Sequence, residues 1–325
     1  MTANTDILEP GALPGAGARC DRFAHWLARG HWMQLEVLRQ YSPRPVRWDR
    51  IPARRFGDAA LPQIAVVTPS FNQAGFLRET LASVLGQDYP RLLYAVQDGG
   101  STDGSVAELE RCRARLAWLQ SARDTGQADA IRKGFAAIVD RIGSADLMAW
   151  LNSDDVYAPG ALRRVGDFFA AHPEIDVVYG HRIIIDELGA EIGRWILPPH
   201  EPAALTWVDY VPQETLFWRK RAWDRAGGID PSFQFALDWD LLARFTATGA
   251  RVVRLPWFTA CFRVHATQKT SQQIHSTGAE EMARVRARFH GEIGAANWQT
   301  IQAWAARERR RGAVTARLLD WGIRV

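Results

Sequence analysis

The sequence predicts an α/β fold, a mainly parallel Rossmann-like mixed sheet with helices on both faces. Two observations lead there. Short solid apolar runs alternate with segments whose apolar residues recur every three or four positions, as buried strands joined by amphipathic crossover helices do. Each of those runs also empties into a polar loop. At 325 residues and 47% hydrophobic content, the chain can bury the core of one large α/β domain with extensions, or of two modest ones.

The elements follow in order. Residues 1–62 read as an N-terminal extension: 1–18 are rich in Gly, Ala and Pro and expected to be disordered. A helical pattern then spans 21–40 with Phe23, Trp26, Leu27, Leu35, Val37 and Leu38, and Pro43, Pro45, Pro52 and Pro62 interrupt regular structure. A compact unit over 63–270 begins with the strand Ile64–Thr68 and a helix carrying Phe76, Leu77, Thr80, Leu81, Val84 and Leu85. Leu92–Val96 is a second strand, followed by a helix that Ser105 and Glu108 would open as a capping box. Leu116–Leu119 is a third, followed by a helix with Ala128, Ile131, Phe135 and Ile138 on one face. Leu147–Leu151 is a fourth, followed by the helix 161–171. Residues 271–325 form a basic helical extension, with Met282, Val285 and Phe289 on one face and Trp298, Ile301 and Trp304 on another. It is expected to pack on the main unit; a homodimer contact and a peripheral contact with the inner membrane face are the other readings.

Composition excludes several classes. No apolar stretch reaches the roughly 18 residues that span a bilayer, and the first ten residues lack the basic and apolar regions of a signal peptide. Cys20, Cys112 and Cys261 are too dispersed for a metal site and fit free thiols in a reducing, cytoplasmic compartment. The net charge of +4 gathers toward the ends, in Arg44–Arg55 and Arg307–Arg311. No nucleic-acid motif accompanies it, so no nucleic-acid partner is expected. Such charge is a solvated surface or an attraction to anionic lipid or acidic glycan.

Right-handed crossovers place the C-terminal ends of parallel strands on one edge of a sheet, where ligands of open α/β folds bind. The polar loops collect at that edge: Thr68-Pro69-Ser70-Phe71-Asn72, Asp98 to Gly104, Asp124 to Gln127, and Asn152-Ser153-Asp154-Asp155. Adjacent carboxylates such as Asp154 and Asp155 repel unless a cation or strong donors neutralise them. Mg²⁺ or Mn²⁺ beside substrate phosphates is one reading, and helix capping before Pro159 the other. Asp98 reads as a ligand for a base or ribose, or as an ordinary Asp-Gly turn. Arg132 and Lys133 fit phosphate pairing or plain helix exposure, and Asp129 a ligand or a dipole-complementing residue. Asp238 is an acid facing a cleft or the N-cap of the helix that follows, and His265 a ligand or a strand histidine.

Several motifs stand in fixed order: Thr68-Pro-Ser-Phe-Asn, Gln97-Asp-Gly-Gly-Ser-Thr-Asp-Gly, Gly126-Gln-Ala-Asp-Ala-Ile-Arg-Lys-Gly and Trp150-Leu-Asn-Ser-Asp-Asp. Leu237-Asp-Trp-Asp-Leu and Phe262-Arg-Val-His follow. Together, over residues 63–270, they resemble the inverting glycosyltransferases of family 2, of GT-A fold, in the branch with an Asn-Ser-Asp-Asp motif. The resemblance implies sugar transfer from a UDP- or GDP-type nucleotide-sugar donor to a glycan or lipid-linked acceptor, in making bacterial surface polysaccharide or lipopolysaccharide. It implies a divalent cation, Mg or Mn, on Asp154 with Asp155 and His265, and Asp238 as catalytic base. Donor contacts would come from Thr68, Pro69, Ser70, Asn72, Asp98, Gln127, Asp129, Lys133, Asn152 and Ser153.

Three positions depart from the commonest pattern: Asn152 and Gly99 stand where aspartates are frequent, and His181 where the branch usually has aspartate. The Gln-x-x-Arg-Trp motif of processive synthases is missing, so a polymer-extruding enzyme is not expected. Trp207, Glu214 and Trp239 are expected at the acceptor, the tryptophans because their rings stack on sugars, and 197–212 as a loop over it. The alternative function is a catalytically silent nucleotide-sugar or glycan-binding protein on the same fold. A nucleotidyltransferase would want a Gly-rich basic loop after the first strand, and a dehydrogenase G-x-G-x-x-G; neither is present.

Overall fold

The structure, a computed structural model, describes residues 38–48 and 60–320, apart from 142, 144, 145, 270–272, 275 and 291–294. The disorder expected over 1–18 and most of the helix expected over 21–40 fall outside the described residues.

The first half follows the predicted alternation: β1 (Ile64–Ser70), α1 (Ala74–Leu85), β2 (Leu92–Asp98), α2 (Ser105–Cys112), β3 (Trp118–Ser121), α3 (Gln127–Ala136), β4 (Leu147–Trp150). These four strands run parallel in the order β3-β2-β1-β4. β1 is buried along its whole length because both faces are covered. Ile64 and Val66 pack with Leu77, Leu81 and Val84 of α1, while Ala65 and Val67 pack with Ile131 and Phe135 of α3. Gly134 lets α3 lie close on the sheet, since a Cβ there would come within 2.5 Å of Val67 Cγ1.

The second half is mixed. β5 (Val156–Tyr157) and α4 (Ala161–Ala171) lead to the hairpin β6 (Val177–Ile185) and β7 (Glu191–Trp195). Then come α5 (Pro202–Leu205), β8 (Leu216–Arg219), α6 (Lys220–Ala226), α7 (Leu237–Ala247), β9 (Val252–Arg263), α8 (Thr277–His290) and α9 (Ala295–Asp320). β8 enters antiparallel between β4 and β6, and β9 lies parallel to β6. The N-terminal segment runs along β7, with Gln40 N donating to Ile192 O at 2.7 Å and Arg44 paired with the buried Glu191.

Two local expectations are corrected. The third strand starts at Trp118 rather than Leu116, because the turn Arg113–Arg115 continues α2. No capping box forms. Gly104, at φ 103°, precedes α2, Ser105 Oγ donates to Asp103 Oδ1 at 2.6 Å, and Glu108 is drawn outward to Arg78 and Arg111.

The C-terminal helices pack on the main unit. Met282, Val285 and Phe289 of α8 join the core beneath α7, and Trp304 of α9 meets Tyr210 at 5.3 Å between ring centroids. Among the described residues no helix is long and apolar enough to cross a membrane.

Candidate active site

The strand ends open into one cavity of about 1020 Å³. Pro69, Ser70 and Phe71 line it from β1, Gly99 and Gly100 from β2, Asp124 from the loop after β3, and Asn152 to Asp155 from β4. Asp209, Glu214 and Asp238 line it from the mixed half. The carboxylates of Asp154 and Asp238 therefore share a hollow.

The loop after β4 is held from three sides. Gln127 Nε2 donates to Asn152 Oδ1 at 2.7 Å, and Lys269 Nζ donates to Gln127 Oε1 at 3.1 Å. Thr80 Oγ1 donates to the carbonyls of Ser153 and Asp155. Arg263 donates from its Nε to Asp154 O and from its backbone N to Asp155 Oδ1, at 2.9 and 3.0 Å. Asp155 is 1% exposed, and burial, then the nearby Asp154 and Glu214 charges, raise its pKa well above the usual carboxylate range. Asp154 is the freer of the two. Its Oδ2 lies 3.0 Å from His265 Nε2, and His265 Nδ1 lies 2.9 Å from Thr267 Oγ1.

This donor set fits a hard divalent ion in part. Among the described residues no group of three His, Cys, Asp or Glu side chains is gathered to hold a metal. One carboxylate on the cavity wall, Asp154, is nevertheless in contact with one imidazole behind it, and the cavity has room for a ligand whose oxygens would complete the shell.

Opposite them, α7 presents Asp238. Its Oδ1 accepts from Trp239 N at 2.9 Å, and the N-cap position of the helix is Ala236, with no side-chain cap, so Asp238 is not an N-cap. Burial raises its pKa to about 6. Three backbone N–H groups before it, of Gln234, Phe235 and Ala236, donate to Glu281 of α8 at 2.8, 2.8 and 2.9 Å. Asp209, unforeseen from the sequence, has its pKa raised well above the usual carboxylate range by burial and by Asp238. Glu214 lines the wall, with both its oxygens engaged by Arg182, each at 2.6 Å.

Other expected residues are not among those that line the cavity. Asp98 is fully buried, and its carboxylate accepts from the backbone N–H groups of Gly100 and Ser101 and the hydroxyls of Ser101 and Ser121. Thr68 is fully buried and shares a 2.9 Å hydrogen bond with Tyr94 Oη. Asn72 accepts from Thr102 N. Asp129 and Lys133 pair with each other at 2.8 Å along α3.

Neither of the two tryptophans expected at the acceptor lines the cavity. Trp239 is 1% exposed and donates to Leu205 O at 2.6 Å, while Trp207 stacks on His290 at 3.9 Å. The segment expected as a loop over the site lines it only at 208–212, and Leu197, Leu205 and Trp207 within it are buried. His181 is buried too, its Nδ1 accepting from Leu197 N at 3.1 Å, and burial lowers its pKa to about 3, so the ring is neutral.

Three residues of the cavity wall, Asp124, Phe71 and Asp209, were not among the expected site residues. Asp124 fills the space beside Gly99, where a Cβ would lie 3.0 Å from its Oδ2. The missing second aspartate at Gly99 was the available signal. Phe71, 61% exposed at the mouth, stood in the quoted motif without a role. Asp209 left only a lone carboxylate in an apolar run, Trp207 to Val211.

Comparison with known proteins bears on the family and the fold. Residues 65–228, half of the chain, match glycosyl transferase family 2. The O-antigen biosynthesis protein RfbC of Myxococcus xanthus is 31% identical over 196 residues, 59% of this chain and only 15% of RfbC's own length. Two solved structures are similar in fold. One is S. aureus TarS 1–349 in complex with UDP-GlcNAc, at 17% identity and TM-score 0.56, covering 75% of this chain and 71% of that one. The other is the mannosyltransferase PcManGT from Pyrobaculum calidifontis in complex with GDP-Man and Mn²⁺, at 17% and 0.55, covering 92% and 84%. With its GT-A sheet and a family match over half its length, the chain belongs to glycosyl transferase family 2.

Proposed function

We propose that this chain is a metal-dependent inverting glycosyltransferase. It moves a sugar from a UDP- or GDP-linked donor to a hydroxyl of a glycan or lipid-linked acceptor, in building a bacterial surface polysaccharide or lipopolysaccharide. The observation that carries the reading is the single cavity lined by Asp154, which contacts His265, and by Asp238. Residues 63–270 are the GT-A unit, 1–62 its N-terminal extension and 271–325 a helical extension packed on it.

Asp154 and His265 would hold Mg²⁺ or Mn²⁺, with Asp155 behind them. The bound cation supplies electrostatic relief for charge gathering on the leaving diphosphate. Pro69, Ser70, Phe71 and Gly99 form the wall for the nucleoside, where Asp124 takes the part first expected of Asp98. Gln127, Asn152 and Ser153 face the diphosphate and sugar. The acceptor oxygen bonds to the anomeric carbon as that carbon's bond to the diphosphate oxygen breaks, and the diphosphate leaves with the electron pair. Asp238 takes the hydroxyl proton, a general-base contribution of roughly 10²- to 10⁴-fold. One displacement inverts the anomeric centre.

The test is a screen of nucleotide sugars for Mn²⁺-dependent thermal stabilisation, since a ligand selective for the folded form raises its melting temperature. Transfer with the stabilising donor, and NMR of the anomeric product, completes it. A retained anomeric configuration, or no nucleotide sugar that stabilises the protein, overturns the reading.

A further inference from the structure

We infer that Glu281 is a positioning residue for Asp238, so that α8, outside the matched family region, is part of the catalytic apparatus. The inference rests on the glycosyl-transfer reading given above. Its basis is the approach to α7. Gln234, Phe235 and Ala236 point three consecutive backbone N–H groups at one spot, a concavity that favours an anion. Glu281 fills it: Oε1 accepts from Gln234, and Oε2 from Phe235 and Ala236, all within 2.9 Å. The glutamate is 6% exposed, and no side chain of α7's own N-terminus caps the helix in its stead. Charge-assisted hydrogen bonds of this kind are about twice as strong as neutral ones. They fix the backbone two residues before Asp238.

The rest of α8 grips the same segment. Arg284 donates to the carbonyl and hydroxyl of Ser232, at 2.9 and 3.1 Å, and Arg288 pairs with Asp230 and Asp240 on either side of Asp238. The same helix lines the cavity with Ala279, Met282 and Arg286. A general base acts only within hydrogen-bond reach of the proton it takes, so whatever sets the register of α7 against the cavity sets turnover. Glu281 does this without touching substrate.

The experiment compares Glu281→Gln with the unaltered full-length chain. The amide offers one acceptor oxygen in place of two and turns an N–H₂ group toward backbone donors. Turnover is expected to fall roughly 10- to 100-fold, the scale of a 1 Å misplacement, with donor KM and nucleotide Kd within about twofold. In Asp238→Asn, adding Glu281→Gln is expected to cost little more, because a residue acting through Asp238 has nothing left to position. Hydrogen exchange at residues 234–236 should rise in the Gln variant. Glu281→Asp, which keeps the charge but shortens the reach, carries the same comparison should the Gln variant not fold. Turnover within twofold of the parent, an equal loss of donor affinity, or full additivity with Asp238→Asn overturns the inference while leaving the family reading intact. A parent chain without transfer activity overturns both.

Discussion

His265 Nε2 sits 3.0 Å from Asp154 Oδ2 across 111 residues of sequence. β9 delivers the histidine to the strand end from which Asp154 projects, and the ring is fixed by Thr267 and by Phe76, whose centroid lies 4.6 Å away. A ring held this way loses little entropy when it binds a cation. Asp154→Asn should remove Mn²⁺-dependent stabilisation by the donor nucleotide. His265→Gln should weaken the apparent Mn²⁺ affinity on the order of 10- to 100-fold. Fluorimetric melting against Mn²⁺ at saturating nucleotide checks both, and unchanged midpoints would remove the cation from this pair.

Asp238 sets a pH window. Burial raises its pKa from 3.8 to about 6, so the carboxyl is protonated and unable to act as a base on the acid side of that value. Transfer rate should climb with pH through 6 and then level, and a rate indifferent to pH between 5 and 7 would contradict the assignment. Stability runs the other way. A pKa raised in the fold contributes stability that is complete below the unfolded value and lost as pH rises through the folded one. Asp238→Asn should therefore be more stable than the parent at pH 7.5. Discounted for partial exposure, the gain is on the order of 1 kcal/mol, about 1–2 °C in a protein of this size. It should disappear toward pH 4.

The parallel half was legible because strands buried on both faces must carry solid apolar runs, and β1, β2 and β4 do; the edge strand β3, half-exposed with the sequence Trp-Leu-Gln-Ser, was placed by its neighbours. The mixed half was not. β5 has two residues, β6 carries Gly180, His181 and Arg182 inside the strand, and β9 carries Arg254 and Pro256. The rim showed which loops meet, but not which oxygens are already committed. Asp98 and Asp154 look equally available in sequence, yet four donors occupy the first, three from its own loop and one from Ser121 of β3. Trp239 follows Asp238 directly, and one step along a helix turns a side chain through about 100°, from the cavity into the core.

Arg182 and Glu214 form a bidentate pair, with side chains 5% and 1% exposed. The guanidinium lies between the Phe262 and Trp195 rings, 4.1 and 4.8 Å from their centroids. Removing one charge of such a pair leaves the other buried and uncompensated. Glu214→Gln should cost roughly 3–5 kcal/mol, read by urea denaturation. A loss below 1 kcal/mol would mean that the cavity already hydrates Arg182.

Trp239 decides whether the tryptophan next to the base serves the acceptor or the core. Its indole N–H is spent on Leu205 O, and Arg286 stands over its ring at 5.3 Å. Exchange for phenylalanine removes that hydrogen bond and part of the ring while keeping the aromatic face. The carbonyl of Leu205, left buried without its donor, costs about 1–3 kcal/mol, so Trp239→Phe should melt lower than the parent. The acceptor KM should not move, because the buried ring is not part of the cavity wall. An acceptor KM that rises severalfold in a variant with parental melting temperature would reverse the assignment and return Trp239 to the sugar.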